Sequence, residues 1–446
     1  MKGFPLKAED VGRRELDNGA VVLAIEYPKL PLLKVHLMVK RGAERDPQGQ
    51  EGLADLTAEG ITLGTEGRES EEIASEVERL GAKLSASSRW DASFLTLAGL
   101  MEDAPQLLEI LSDLTLHPTF PREEIGEALK RRISRLLQLR DEPEVVADEI
   151  INGIVMEGTP YAHPTYGTLR SLKALPLEAP SRFWKENYLP QETVLLLIGS
   201  RPKEELLSLG EEALGEWEGQ SSSSADLPHP RLPGSRRVLL VDRPDLTQSQ
   251  IRVGLVGIER RDERYLPFLI MNYIFGGGGF SSRLMMRVRA SKGYTYGIRS
   301  TFQALRTPGP FLISTFSPTA TAPQALEEIL RVMEEMAREG VTEKELEEAK
   351  NYWRGSFPLQ METPAQVARR VLELELYGLP LEDLPLFPER VAGVRKEEVD
   401  ELAAEFIRAD RAQIVILGKA EEMEPSLRGL GEVEVRSFRE VIDAPQ

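Results

Sequence analysis

The sequence predicts an α+β fold in two homologous copies, from three observations: an internal repeat, a serine- and proline-rich stretch between the copies, and apolar runs that switch between alternating and helical periods. The repeat is legible residue by residue. Ala104-Pro105-Gln106 leading into Leu107-Leu108-Glu109-Ile110-Leu111 matches Ala322-Pro323-Gln324 leading into Ala325-Leu326-Glu327-Glu328-Ile329-Leu330, an offset of 218. Asp141-Glu142-Pro143 with Val146-Ala147 matches Glu362-Thr363-Pro364 with Val367-Ala368, an offset of 221. Upstream, Lys34 to Val39 corresponds to Gln250 to Leu255, and downstream Val194 to Gly199 corresponds to Gln413 to Gly418. Four landmarks in one order, so far apart, describe two copies of a domain and not a solenoid. Domains are therefore expected over 1–218 and 237–446, joined by a Ser/Pro-rich linker over 219–236.

The elements follow in order. Val21 to Tyr27 and Val35 to Arg41 are β-branched apolar runs, the second with Val35, Leu37 and Val39 on one face. Ser70 is placed to cap a helix with Ile73, Val77 and Leu80 on one face and a stop at Gly81. Two further strands are expected near Leu84 to Ser88 and Phe94 to Leu100. Asp103 then opens a helix carrying Leu107, Leu108, Leu111 and Leu114, ended by Pro118. The stripe Ile125, Leu129, Ile133 and Leu136 or Leu137 makes the next helix, which ends before Pro143. Adjacent strands with short connections favour a mainly antiparallel sheet with helices on one face.

Composition narrows the function. The chain has 446 residues, 41% of them apolar, enough for substantial cores. Its 55 basic and 73 acidic residues give a net charge of -18, which disfavours nucleic acid or an anionic membrane as partner and suits a cationic peptide better. Cysteine is absent, which excludes disulfides, thiolate metal ligation and a cysteine nucleophile. The first residues, MKGFPLKAED, carry no apolar run of signal-peptide length, and no segment approaches a membrane span, so a cytoplasmic location is expected.

Gly52-Leu53-Ala54-Asp55-Leu56-Thr57-Ala58-Glu59-Gly60-Ile61-Thr62-Leu63-Gly64-Thr65 resembles the zinc-site helix of the M16 peptidases (pitrilysin-like and mitochondrial-processing-peptidase-like), in which His-x-x-Glu-His sits in the same frame. The frame survives, and the three chemical positions read Asp55, Ala58 and Glu59. Zinc needs imidazole nitrogens one turn apart and a carboxylate to take a proton from the bound water. Neither is offered. Asp55 and Glu59 stand at i and i+4, so they form either a weak site for a hard cation or a partly solvated helix face. The four histidines share no ligand spacing. The resemblance also implies a further glutamate from a helix seventy to eighty residues on, and the matching stretch, Leu129 to Arg140, holds no acid.

In the second copy, Phe275-Gly276-Gly277-Gly278-Gly279-Phe280-Ser281-Ser282-Arg283-Leu284 leads into Met285 to Tyr296. This resembles the C-terminal motif of the same family, a glycine-rich turn and a Ser-Arg-Leu helix start followed by an arginine and a tyrosine seven residues apart, here Arg289 and Tyr296. The resemblance implies that Arg289 holds a substrate carbonyl and that Tyr296 donates to the oxyanion of the tetrahedral intermediate, both in trans at a zinc site on a facing chain. Taken singly, from the residues alone, Tyr296 reads as a strand tyrosine packed with Tyr294 and Ile298, and Arg289 as a solvated helix arginine; the glycine run and the spacing are what favour the paired role. No Gly-Lys-Ser/Thr follows the glycines, so they do not form a phosphate loop. Gly276, Gly277, Gly278, Gly279 and Phe280 are candidate substrate contacts, through close backbone approach or a mobile turn. His163-Pro164-Thr165-Tyr166-Gly167-Thr168 resembles a His-Pro-Tyr-Gly segment of the family, with Thr165 inserted, and reads as a structural connection.

The expectation over the whole chain is an M16-type half-clamshell that binds no metal or other cofactor itself. Its partner would be a zinc-binding M16 paralogue carrying an intact His-x-x-Glu-His helix, and its substrate a peptide or unfolded polypeptide. The alternative is a non-catalytic structural or peptide-binding protein resembling the core subunits of respiratory complexes.

Overall fold

In the computed structural model, which describes residues 6–219 and 226–443, the chain forms two compact units. Residues 220–225 of the expected linker lie outside the described residues. One unit is built from Met1–Leu137, Pro164–Asp226 and Phe357–Leu386, the other from Gln138–His163, Leu227–Ser356 and Phe387–Gln446. Among the described residues no helix is long and apolar enough to cross a membrane.

The first unit holds a six-stranded sheet of β1 (Val11–Glu15), β2 (Val21–Glu26), β3 (Leu32–Val39), β4 (Lys83–Ser88), β5 (Ser93–Leu100) and β6 (Thr193–Gly199). Their order is β1-β2-β6-β3-β5-β4, with β2 and β6 parallel and the other ladders antiparallel. The second unit holds β7 (Arg237–Asp242), β8 (Gln248–Val256), β9 (Ile298–Phe302), β10 (Pro310–Pro318), β11 (Gln413–Gly418) and β12 (Glu432–Ser437), in the order β12-β7-β11-β8-β10-β9. Five strands of each sheet correspond one for one, and all four repeat landmarks fall on equivalent elements. The sixth differs: β1 precedes its copy and lies antiparallel on β2, whereas β12 follows its copy and lies parallel on β7.

Val35, Leu37 and Val39 are buried together, as their alternation predicts. The helices Ser70–Arg79, Ala104–Leu116 and Arg122–Leu139 form where periodicity places them. Ser70 is not the cap, however. Glu69 precedes the helix with extended backbone, and its N–H donates to the Glu72 carboxylate at 2.9 Å.

The expectation of helices on one face needs correction. On one face each sheet meets helices of its own copy: one core cluster draws on residues 16–217 and the other on 238–427. Yet β6 and β11 are buried along their whole length, so both their faces are covered. The second cover is an exchanged helix. Pro143–Val155, which follows Asp141-Glu142, packs on β8 and β11 of the second unit, and its repeat counterpart Pro364–Tyr377 packs on β3 and β6 of the first. Gly254 admits the first of these, since a Cβ there would collide with Val155 and Ile151. The contact is fastened by Arg252, only 1% exposed, which donates to the Asp148 carboxylate, to the Glu144 carbonyl at 3.2 Å and to the Thr315 carbonyl at 3.1 Å. In the first unit the buried Tyr377 hydroxyl donates to Asp91 Oδ2 at 2.9 Å.

Candidate functional site

The helix Leu53–Gly60 is held at its start from two directions. Asp46 accepts the N–H groups of Gly52 and Ala54, each at 2.7 Å, satisfying donors that a helix N-terminus leaves free. Gly52 has φ 91°, and a Cβ on it would lie 2.8 Å from Tyr166 O and Gly167 Cα, so the Tyr166-Gly167 connection fits against it only as glycine. The expected connection thus packs against the start of this helix. Leu53, Ala54, Leu56, Thr57, Ala58 and Gly60 are buried, which leaves Asp55 and Glu59 together on the remaining face.

Both carboxylates do point the same way, and the cation they hold is a guanidinium. Arg132, 73 residues beyond Glu59 on the Arg122–Leu139 helix, donates from Nε to Glu59 Oε2 at 3.0 Å and from Nη2 to the same oxygen at 2.7 Å. Its Nη1 donates to Asp55 Oδ2, and Nη2 also reaches the Asp55 carbonyl at 3.0 Å. Arg131 takes the other Glu59 oxygen at 2.9 Å, and Asp55 Oδ1 accepts the Ser88 N–H at 3.1 Å. Two carboxylates and two guanidiniums make the cluster neutral. Burial pulls the Arg132 guanidinium down, but the charges and hydrogen bonds of Asp55 and Glu59 outweigh it and leave the group above its ordinary value. Arg132 stays charged.

A zinc ion does not fit this donor set. The two ligand positions are carboxylates already engaged by arginine, the position of the proton-accepting glutamate is the fully buried methyl of Ala58, and the helix in the place of the further ligand offers a cation. Among the described residues no group of three His, Cys, Asp or Glu could hold a metal ion. His36 is in strand β3, where burial and then Lys34 push it down to about 4; its Nδ1 lies 3.2 Å from Thr96 Oγ1. Arg131 and Arg132 are partners of the altered zinc helix that motif reading missed. Their signal was complementary charge on the one helix that should have supplied an acid.

In the second unit, the glycine-rich run and the helix after it depart from α geometry. Tyr265–Asn272 continues into a π-helical turn over Tyr273–Gly277, a 3-10 turn spans Gly279–Ser281, and a second π-helical segment spans Met285–Ser291. Such wide turns recur at functional sites. A Cβ at Gly276 would lie 2.7 Å from Ser300 N, at Gly277 2.7 Å from Asn272 Nδ2, and at Gly278 2.7 Å from Tyr273 O. These three glycines let the chain fold onto itself, and Gly276 is buried. Gly279, at φ 62°, faces open space.

Arg283 and Arg287 brace the segment. Arg283 makes a two-pronged pair with Glu345 at 2.7 Å, and Arg287 reaches Glu335 at 3.0 Å and Glu328 at 3.2 Å. Burial alone would raise the Glu345 carboxyl, but Arg283 and the Thr342 N–H and hydroxyl bring it to about 2. Arg289 differs from its neighbours: among the described residues it has no carboxylate partner, and its guanidinium carbon lies 4.8 Å from the centroid of the Phe280 ring. Tyr296 is 76% exposed and lies outside the strand that begins at Ile298, while Tyr294 packs against the core. Tyr296 therefore does not share an inward face with Tyr294 and Ile298.

Two family models match the chain: "Insulinase (Peptidase family M16)" over residues 21–169 and "Peptidase M16 inactive domain" over residues 176–352. Among curated relatives, the chain is 22% identical over 406 residues to the uncharacterized zinc protease YmxG of Bacillus subtilis, covering 91% of this chain and 98% of that protein. It is 24% identical over 380 residues to the non-peptidase homolog YmxG of Helicobacter pylori, covering 84% and 87%. Among solved structures, a peptidase M16 inactive domain from Pseudomonas fluorescens matches with a TM-score of 0.85 at 24% identity, over 92% of this chain and 98% of that one. A protease from Helicobacter pylori matches with a TM-score of 0.81 at 16% identity, over 91% and 99%.

Proposed function

Because this chain belongs to the M16 peptidase family, we propose that it is the non-metal-binding subunit of a heterodimeric zinc peptidase, lending Arg289 and Tyr296 in trans to peptide hydrolysis. The observation that carries this reading is a contrast between the two motifs. At the zinc-helix positions Arg132 takes up Asp55 and Glu59, whereas among the described residues Arg289 has no carboxylate partner and the Tyr296 side chain is exposed. A phenol that donates only to an oxyanion stabilises charge that appears only in the transition state. A guanidinium free of acids can take a substrate carbonyl. Zinc would be held by a paralogue with an intact His-x-x-Glu-His helix. The substrate would be a peptide or unfolded polypeptide, favoured when cationic by the net charge of -18, with exposed Gly277, Gly279 and Phe280 among its contacts. A cytoplasmic location accords with the absence of cysteine.

The test is reconstitution. Mixed with the zinc-bearing paralogue, this chain should hydrolyse a fluorogenic peptide that neither chain cleaves alone, and Tyr296→Phe in this chain should lower kcat about 10²-fold. Unchanged hydrolysis by Tyr296→Phe would remove the catalytic assignment. A second reading, a structural or peptide-binding protein that takes part in no hydrolysis, is favoured by the engaged Asp55 and Glu59 and by the name of the Helicobacter relative. Under it, no zinc-bearing paralogue co-purifies and the mixture stays inactive.

A further inference from the structure

We infer that Phe280 is a positioning residue for Arg289: the glycine turn sets an aromatic ring against a guanidinium that, among the described residues, no carboxylate holds. The inference rests on the reading above in giving Arg289 a substrate to meet, but its structural half stands alone. Three observations converge. First, Phe280 is 74% exposed, an unusual place for a phenylalanine that contributes nothing to the core, and the Arg289 guanidinium carbon lies 4.8 Å from its ring centroid. Second, the turn that delivers the ring tolerates no side chains where it is tightest. Gly276, Gly277 and Gly278 each lie against their own chain, and Gly279 takes the left-handed conformation immediately before Phe280. Third, Arg283 and Arg287 are each fixed by glutamates while Arg289, on the same short segment, is not.

A carboxylate would hold Arg289 more tightly than a ring does, but it would also occupy the N–H donors and neutralise the charge. A ring held against the planar guanidinium limits the rotamers while consuming none of the five donors. Phe280 thus orients Arg289 and leaves its hydrogen bonds for a peptide carbonyl. The exposed ring also explains why the turn need not be a flexible flap: its backbone is compact, and the side chain is what it presents.

The experiment has two arms. In the isolated chain, the Nε–Hε resonance of Arg289, assigned with Arg289→Lys, should be shifted by the ring current of Phe280. Phe280→Leu should abolish the shift, and Phe280→Trp should keep it. Because Phe280 is so exposed, all three variants should fold. A wild-type resonance at the unstructured position would overturn the inference. In the second arm, the chain mixed with its zinc-bearing paralogue hydrolyses a fluorogenic peptide. Phe280→Leu should lower kcat/KM about two- to tenfold, Phe280→Trp should restore it, and in an Arg289→Ala background Phe280→Leu should have no further effect. If Phe280→Leu costs as much in that background as in the native chain, the ring acts on substrate by itself and the positioning role fails. If the ring-current shift is present but Arg289→Ala leaves hydrolysis unchanged, the catalytic reading falls, while Phe280 still orients a guanidinium that serves something else.

Discussion

A guanidinium presents its N–H donors in one plane, and in Arg132 they are taken up by two carboxylates a helical turn apart. Asp55 and Glu59 alone would be two like charges on a partly exposed face, free to seek a hard cation with oxygen ligands. Arg132 supplies that cation covalently and at all times. Arg132→Ala is therefore expected to have two effects. Stability should fall by about 2 kcal/mol, less than the loss for a fully buried pair because the acids are only partly covered and Arg131 stays on Glu59. The variant should also acquire what the native chain lacks: a rise in melting temperature with millimolar Ca²⁺ or Mn²⁺, as two freed carboxylates take up a divalent ion. Thermal melts with and without the salts separate the cases. Equal stabilisation of the native chain would mean that Arg132 does not close the site.

At the scale of elements, the wide turns of the second unit make a sharper case than the helices around them. Gly276 and Gly279 belong to one run of four glycines, yet they are required for different reasons. Gly276→Ala sets a methyl against the backbone of Ser300, which cannot move without disturbing β9, and is expected to cost about 1–3 kcal/mol. Gly279→Ala meets no atom and bears only the left-handed backbone penalty of about 1 kcal/mol. Urea titrations of the two variants should rank them in that order; equal midpoints would show that the run is loose. The sequence made the run itself legible, and with it the strand alternation of Val35, Leu37 and Val39, the repeat and the altered zinc helix. It did not make legible the π-helical winding of Tyr273–Gly277 and Met285–Ser291, because segments of five and seven residues are too short to show a period of their own. Nor did it pair Arg132 with Asp55. That contact spans 77 residues, and only the opposite charge of the two positions hinted at it. The cap at Glu69 in place of Ser70 is a one-residue shift of a kind that local preferences leave open.

At the scale of the whole molecule, the exchanged helices tie the two units through the chain itself. Pro143–Val155 covers a face of the second sheet while the segments on either side of it in sequence, Met1–Leu137 and Pro164–Asp226, build the first unit. Pro364–Tyr377 does the reverse, covering β3 and β6 between two segments of the second unit. Each sheet keeps both its faces covered only while a helix from the other copy of the repeat stays on it, and the chain on both sides of that helix runs into the other unit. Duplication could not announce this, since a repeat shows that two helices are equivalent and not which sheet each one covers. Tryptophan placement allows a direct measurement. Trp90, Trp184 and Trp217 pack with the core of the first unit and Trp353 with that of the second. In a Trp353→Phe background, all tryptophan emission reports on the first unit. Gly254→Ala then perturbs the second, driving a methyl into Ile151 and Val155 of the exchanged helix, at an expected cost of about 1–3 kcal/mol. If the exchange couples the units, the emission midpoint in urea falls with the circular-dichroism midpoint, although the altered residue lies in the other unit. If emission holds its native midpoint while the circular-dichroism curve splits in two, the units unfold separately and the swap is a matter of connectivity alone.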